Sequence, residues 1–174
     1  MIALCVGLNM VFENQGRQIK ICNSVLVIIK RHLQCDNKAY EAGGLLIGRE
    51  NISNNNLILD YATEPLPGDK RSRHRFIRRD INHINFYKNL YKTHSGVYRY
   101  IGEWHTHPEA CPSYSSMDLC NWKKIGKDSC DGTQIHMIAG YDFLRLWTYS
   151  YCHKTVSELI TIKWEQLIKH EENI

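Results

Sequence analysis

At 174 residues, with 43% apolar and 23% charged residues, the chain has the length and composition of one globular domain. That composition argues against disorder, collagen-like repeats and coiled coil, and a chain of this length buries roughly 70% of its unfolded surface on folding without needing a metal or disulfide. A net charge of +4 is too small to point to nucleic acid, and no apolar run approaches the roughly 18 residues of a membrane span.

The apolar start, residues 1–11, has neither a basic n-region nor a small-residue cleavage site, so it does not read as an export signal. Met10 to Glu13 and Gln18 to Ile21 flank a polar turn and predict a hairpin. Asn23 or Ser24 is placed to cap a helix over Val25 to Gln34, with Leu26, Ile29 and Leu33 on one face. Gly44 to Arg49 and Leu57 to Ala62 read as strands around the polar turn NISNNN. The run Lys70 to Arg79 carries six Lys/Arg in ten residues, and His74 to Arg78 within it reads as a further strand. Asp80 caps a second helix, Ile81 to about Lys92, in which Ile84, Tyr87 and Tyr91 follow the helical period. Arg99 to His107 is a strand, Ser115 to about Lys124 a third helix, and Gln134 to Gly140 with Leu144 to Tyr149 a strand pair; Leu159 to Trp164 is a final strand. The expected class is α/β (α+β), a central mixed sheet flanked by helices.

The chemistry concentrates in GEWHTHPEACPSYSSMD, residues 102–118. His105 and His107 are two apart, so on a strand both imidazoles face one side. Asp118 follows at the start of the third helix. Two His and one carboxylate leave a fourth tetrahedral position open, the pattern of a catalytic rather than a structural zinc. A zinc so held activates water toward a carbonyl. The reaction then needs a carboxylate to move the proton and a donor for the oxyanion. Ser115 is placed to be that donor, and Ser115-x-x-Asp118 is equally a helix-capping arrangement.

H-x-H-x7-S-x2-D resembles the signature of the JAMM (MPN-plus) zinc metallopeptidases, carried here by His105, His107, Ser115 and Asp118. That family also has an upstream glutamate between the first helix and the next strand, a place held here by Glu41 in EAGGLLIGR. The resemblance covers about residues 10–150. It implies a JAMM/MPN, cytidine-deaminase-like architecture in a single domain spanning 1–174, one zinc per chain and amide hydrolysis. By analogy Glu41 is the general acid/base and Ser115 the oxyanion donor. Glu103, sharing strand parity with both histidines, is the rival base. The strings around Glu41 and GEWHTHPE look most like the stand-alone JAMM peptidases of bacterial type II CBASS antiviral operons, which remove conjugates made through the carboxyl terminus of a nucleotidyltransferase. One departure is Tyr114, where many members have proline before the serine.

The expected partner is therefore a protein with an extended carboxyl-terminal tail, a nucleotidyltransferase or a ubiquitin-like conjugate. Alternatives are a processing peptidase for a ubiquitin-like or sulfur-carrier precursor, a metal-free MPN scaffold, and a nucleic-acid binder acting through the basic run. Gly43 and Gly44 read either as close packing beside the site or as backbone that pairs with the substrate tail, and Arg73 and Arg75 as part of a cradle for an acidic surface. Trp104 alternates to the opposite face and is expected in the core; Glu109 reads as a loop carboxylate. The remaining histidines (His74, His83, His94, His136, His153 and His170) are expected to be structural or exposed. Seven cysteines (Cys5, Cys22, Cys35, Cys111, Cys120, Cys130 and Cys152), an odd number without a C-x-x-C pair, fit reduced thiols in a bacterial cytoplasm.

Overall fold

The computed structural model describes residues 4–6, 9–127 and 133–168; Cys130 and His170 lie outside the described residues. The elements in order are β1 (Leu4–Val6), β2 (Asn9–Asn14), β3 (Arg17–Ile21), α1 (Asn23–Arg31), β4 (Gly43–Glu50), β5 (Leu57–Ala62), β6 (Lys70–Ser72), β7 (Arg75–Ile77), α2 (Asn82–Thr93), β8 (Arg99–Thr106), α3 (Ser116–Lys127), β9 (Thr133–Ala139), β10 (Phe143–Ser150), β11 (Thr155–Lys163) and α4 (Trp164–Ile168). Among the described residues, nine strands form one sheet in the order β1-β2-β3-β5-β4-β8-β9-β10-β11, while β6 and β7 form a separate hairpin. The β3–β5 and β8–β9 pairs are parallel and the others antiparallel, so the sheet is mixed, with helices against it.

Alternation along the strands divides the core. Val25, Leu26 and Ile29 of α1 pack with Leu46, Leu59, Trp104, Met137 and Leu144 on one face. On the other face, Leu90 of α2 packs on Leu45 and Ile47, and Trp122 of α3 packs on Ile138, Trp147 and Tyr149. Trp104 is buried as its parity requires, and its indole N–H donates to the Thr63 carbonyl at 2.9 Å. Among the described residues, no helix is long and apolar enough to cross a membrane.

Several local expectations need correction. Neither Asn23 nor Ser24 caps α1: the capping position is Cys22, without a side-chain bond, and Ser24 Oγ donates instead to the Asp60 carbonyl at 3.0 Å. The helix also stops at Arg31, before Gln34, whose side chain bonds elsewhere. The basic run folds as the β6–β7 hairpin rather than as one strand. The last strand starts at Thr155, because exposed polar residues continue the pairing with β10, and Trp164 opens α4. α2 likewise begins one residue later than expected, at Asn82: the capping position is Ile81, without a side-chain cap bond, and Asp80 accepts the Asn82 N–H from one residue further out, at 2.9 Å.

The base of the hairpin is clasped by one buried carboxylate. Asp69 Oδ1 accepts the N–H groups of Arg79 (2.8 Å) and Asp80 (3.0 Å), and Oδ2 accepts that of Leu66 (2.8 Å). His83 bridges Asp69 Oδ2 (2.8 Å) to Thr63 Oγ1 (2.6 Å). Burial opposes charge on Asp69, but the N–H groups of Asp80, Leu66 and Arg79 and the His83 ring outweigh it, and the carboxyl titrates at about 2 instead of 3.8. A depressed folded-state value gives stability that is complete above the unfolded-state value and disappears as pH falls through the folded one. Asp69→Asn should therefore cost about 2 kcal/mol at neutral pH. In denaturant titrations its deficit against wild type should hold down to about pH 4 and close as pH falls toward 2.

Candidate active site

β8 lies beside the central strand β4, and its last residues carry the motif histidines to the sheet end. The ladder with β4 places Gly43 opposite His105 and Gly44 opposite Trp104. Backbone pairing continues one step further: the Thr106 N–H donates to the Ala42 carbonyl at 2.8 Å, and the His107 N–H to the Ala139 carbonyl of the neighbouring strand at 3.0 Å. Both imidazoles project to the face covered by α3, whose first turn brings in Asp118.

The three side chains converge. His105 Nε2 and His107 Nε2 are 3.0 Å apart. They lie 3.3 Å and 3.5 Å from Asp118 Oδ1 and Oδ2, and all three side chains are 12–13% exposed. A Glu41 carboxylate oxygen sits with the two ring nitrogens within a 4.8 Å span. Geometry therefore offers two carboxylates to the same point, and electrostatics separate them. Burial raises the proton affinity of Glu41, and the nearby His105 and His107 only partly offset this, so its pKa stays above the usual glutamate value. Burial also disfavours the Asp118 anion, but hydrogen bonding to His105 and His107, with help from Ser115, holds that carboxyl far below the usual range. For His105, burial opposes the cation, yet the hydrogen bond and charge of Asp118 raise its pKa on balance. Asp118 is thus suited to permanent charge and Glu41 to proton exchange.

Ser115 stands at the N-terminus of α3, where both of its sequence readings can be weighed. Its Oγ accepts the Asp118 N–H at 3.1 Å, its own N–H donates to Asp118 Oδ2 at 2.7 Å, and its hydroxyl donates to the same oxygen at 2.6 Å. This is a capping box with Asp in place of Glu, and it fixes the Asp118 carboxylate against the two imidazoles.

Glu103, the rival base, is taken up by Arg78, which donates to Glu103 Oε1 from Nη2 (2.5 Å) and Nε (3.2 Å). Glu109 accepts the Ser113 N–H at 3.3 Å within the loop. Cys111 and Cys120 are free and exposed. Gly43 and Gly44 adjoin the site; the β8 edge of β4 is occupied there by His105 and Trp104, while the ladder of β4 with β5 begins only at Leu46. A Cβ at Gly43 would lie 2.6 Å from the Phe76 ring, and one at Gly44 2.0 Å from the Thr63 carbonyl oxygen. Arg73 and Arg75 are not brought into the cluster. The Arg73 guanidinium donates to the Asp36 carbonyl (2.9 Å), and Arg75 is exposed at the start of β7. With Arg71 bonded to the Glu41 and Tyr40 carbonyls and Arg78 to Glu103, much of the basic run is engaged within the chain.

Two contacts here have no sequence signature. His136 of β9 stacks on Trp122 of α3, with centroids 4.3 Å apart and planes at 11°. This stack fixes the helix one turn beyond Asp118. Burial, and then the His105 charge, lower the His136 pKa to about 3, so the ring is neutral. The second contact is the buried pair Gln34 and Thr106, bonded at 3.0 Å behind the motif strand.

Three relatives are similar in sequence. Proteins named CD-NTase/cGAS isopeptidase are 34% identical over 102 residues in Pseudomonas aeruginosa, 32% over 111 in Escherichia coli and 31% over 106 in Vibrio cholerae. The matches cover 59%, 64% and 61% of this chain, and 63%, 68% and 67% of the respective relatives. A solution structure of a protein from Desulfitobacterium hafniense is similar in fold, with a TM-score of 0.52 at 19% identity, over 77% of this chain and 82% of that one. Residues 23–150 match the family model described as prokaryotic homologs of the JAB domain (Prok-JAB), and the chain belongs to that family.

Proposed function

We propose that this protein is a zinc-dependent isopeptidase that hydrolyses the amide bond after the carboxyl-terminal residue of a conjugated protein, the conjugated protein being a CD-NTase of the kind named in its relatives. The observation that carries the reading is the convergence of His105 Nε2, His107 Nε2 and the Asp118 carboxylate, with Glu41 alongside. Two imidazoles and a permanently charged carboxylate are a donor set that fits zinc. His105, His107 and Asp118 would hold the ion.

When bound, zinc supplies a Lewis acid for a carbonyl and for water near neutral pH. Glu41 takes a proton from the attacking water and gives it to the leaving nitrogen, a task suited to a buried carboxyl with raised proton affinity. Ser115 turns its hydroxyl from Asp118 to the oxyanion that develops on the carbonyl. Arg75, exposed on the hairpin beside Glu41, and the surface over Gly43 and Gly44 are the proposed contacts for the substrate tail. The presence of every motif residue favours an enzyme over a metal-free scaffold.

Ser115→Ala tests the two roles of that residue together. Loss of the cap should cost about 1 kcal/mol in denaturant unfolding. Loss of the oxyanion donor should lower kcat on the order of 100-fold. A lowered midpoint with unchanged kcat would leave only the cap.

The reading itself is tested with a CD-NTase carrying a reporter joined at its carboxyl terminus. Zinc-loaded protein should release the reporter and leave casein nearly intact. An intact fusion beside digested casein would make the protein a general peptidase. Preferential cleavage of a ubiquitin-like or sulfur-carrier precursor would keep the chemistry and change the substrate.

A further inference from the structure

Glu41 lies just outside the regular sheet: α1 ends at Arg31, β4 begins at Gly43, and the chain between has no regular element. A carboxylate that must move a proton at a fixed point cannot hang from an unsupported loop, since a displacement of about 1 Å can cost ~100-fold in rate. The support comes from two buried polar side chains. Gln34 is 2% exposed and Thr106 fully buried. Gln34 Nε2 donates to the carbonyls of Ala39 (3.1 Å) and Arg73 (2.8 Å), and its Oε1 accepts the Thr106 hydroxyl at 3.0 Å. Thr106 Oγ1 in turn accepts the Ala42 N–H at 3.0 Å.

These bonds join the segment before Glu41, the residue after it, the turn of the β6–β7 hairpin and the strand residue between His105 and His107. The hairpin then holds the Glu41 peptide from its other side: the Glu41 N–H donates to the Ser72 carbonyl at 2.8 Å, and Arg71 Nε donates to the Glu41 carbonyl at 2.8 Å. The polar capacity of the Gln34 amide is spent on main-chain carbonyls and one hydroxyl, all on segments that border the site.

We infer that Gln34 and Thr106 are positioning residues that fix the Glu41 carboxylate relative to the His105–His107 pair, an inference that rests on Glu41 being the proton carrier. They act through the backbone on either side of Glu41 and touch neither substrate nor metal. Their loss moves the base without removing a zinc ligand, so it separates turnover from metal binding. Because both serve one network, their losses do not add.

The test uses Thr106→Val, Thr106→Ser, Gln34→Met and the Gln34→Met/Thr106→Val double variant in the full chain, with Glu41→Gln alongside. Valine keeps the shape of Thr106 and deletes the hydroxyl, whereas serine keeps the hydroxyl. Thr106→Val and Gln34→Met should each lower kcat on the order of 10- to 100-fold, with KM and zinc content unchanged. The double variant should fall little further, and Thr106→Ser should stay near wild type. The Glu41 amide proton, measured by hydrogen exchange, should exchange faster in the valine and methionine variants.

Wild-type kcat in folded Thr106→Val and Gln34→Met, or unchanged Glu41 exchange, overturns the inference. Loss of zinc in step with kcat overturns it too, because the pair would then act on the histidine strand. Should Thr106→Val fail to fold, Gln34→Met and the exchange measurement still decide. Full activity in Glu41→Gln would instead sink the assignment of the base, while the exchange measurement continues to report on the network.

Discussion

Glu41→Gln is expected to bind zinc and fold as wild type does, and to lose turnover by about 100- to 10,000-fold, the range for a general acid/base. The amide keeps the size of the carboxylate and removes its ability to take up a proton. The site makes Glu41 the candidate on two grounds. Its oxygen lies within 4.8 Å of both imidazole nitrogens, and burial raises its affinity for protons. Glu103 meets neither condition as well, because its carboxylate is paired with Arg78. Glu103→Gln should therefore leave most of the activity, and steady-state kinetics of the two variants side by side decide between them. Activity lost in Glu103→Gln and kept in Glu41→Gln would reverse the assignment.

The second large effect is expected from the histidines. His107→Ala removes one of the three proposed ligands and leaves His105 with Asp118, and with Glu41 alongside. Elemental analysis of the purified variant should find little zinc where wild type should hold about one per chain, as a single three-ligand site requires, and hydrolysis should be undetectable. Full zinc retention in His107→Ala would overturn the ligand set. Asp118→Asn is a useful companion, since it keeps a capping side chain at the start of α3 while removing the charge that holds both imidazoles. It should lose zinc with a smaller loss of stability than a change that empties the cap.

The motif was legible because its chemistry is local. His105 and His107 share a strand face by parity alone, and Ser115-x-x-Asp118 marks a helix start whatever packs against it. The strands with apolar alternation, from Gly44 to Ala62 and from Gln134 to Tyr149, were legible for the same reason. The order of strands in the sheet was not. Gly43 and Gly44 read as a strand edge, and only the structure shows His105 and Trp104 paired along one side of them and Phe76 and Thr63 standing where a side chain would go. The hairpin was half hidden because a run of arginines reads as a solvated surface, whereas Arg71, Arg73 and Arg78 spend their donors on the chain itself. The cap of α1 was misread because Ser24 found a partner on β5, far away in sequence. Gln34 and Thr106 had no pattern to betray them: a lone glutamine after a helix and a threonine inside a strand acquire meaning only when four segments close around them.

Hydrolysis of an isopeptide bond at the carboxyl terminus of a CD-NTase is the activity proposed for this site. The most direct measurement is intact mass spectrometry of a CD-NTase joined through its terminal carboxyl to a lysine side chain, after incubation with zinc-loaded protein. The predicted result is two products, one with the mass of the CD-NTase ending in its free carboxylate and one with the mass of the partner bearing a free lysine amine, both absent with Glu41→Gln or after chelation. An unaltered conjugate, or fragments cut within either linear chain, would contradict it.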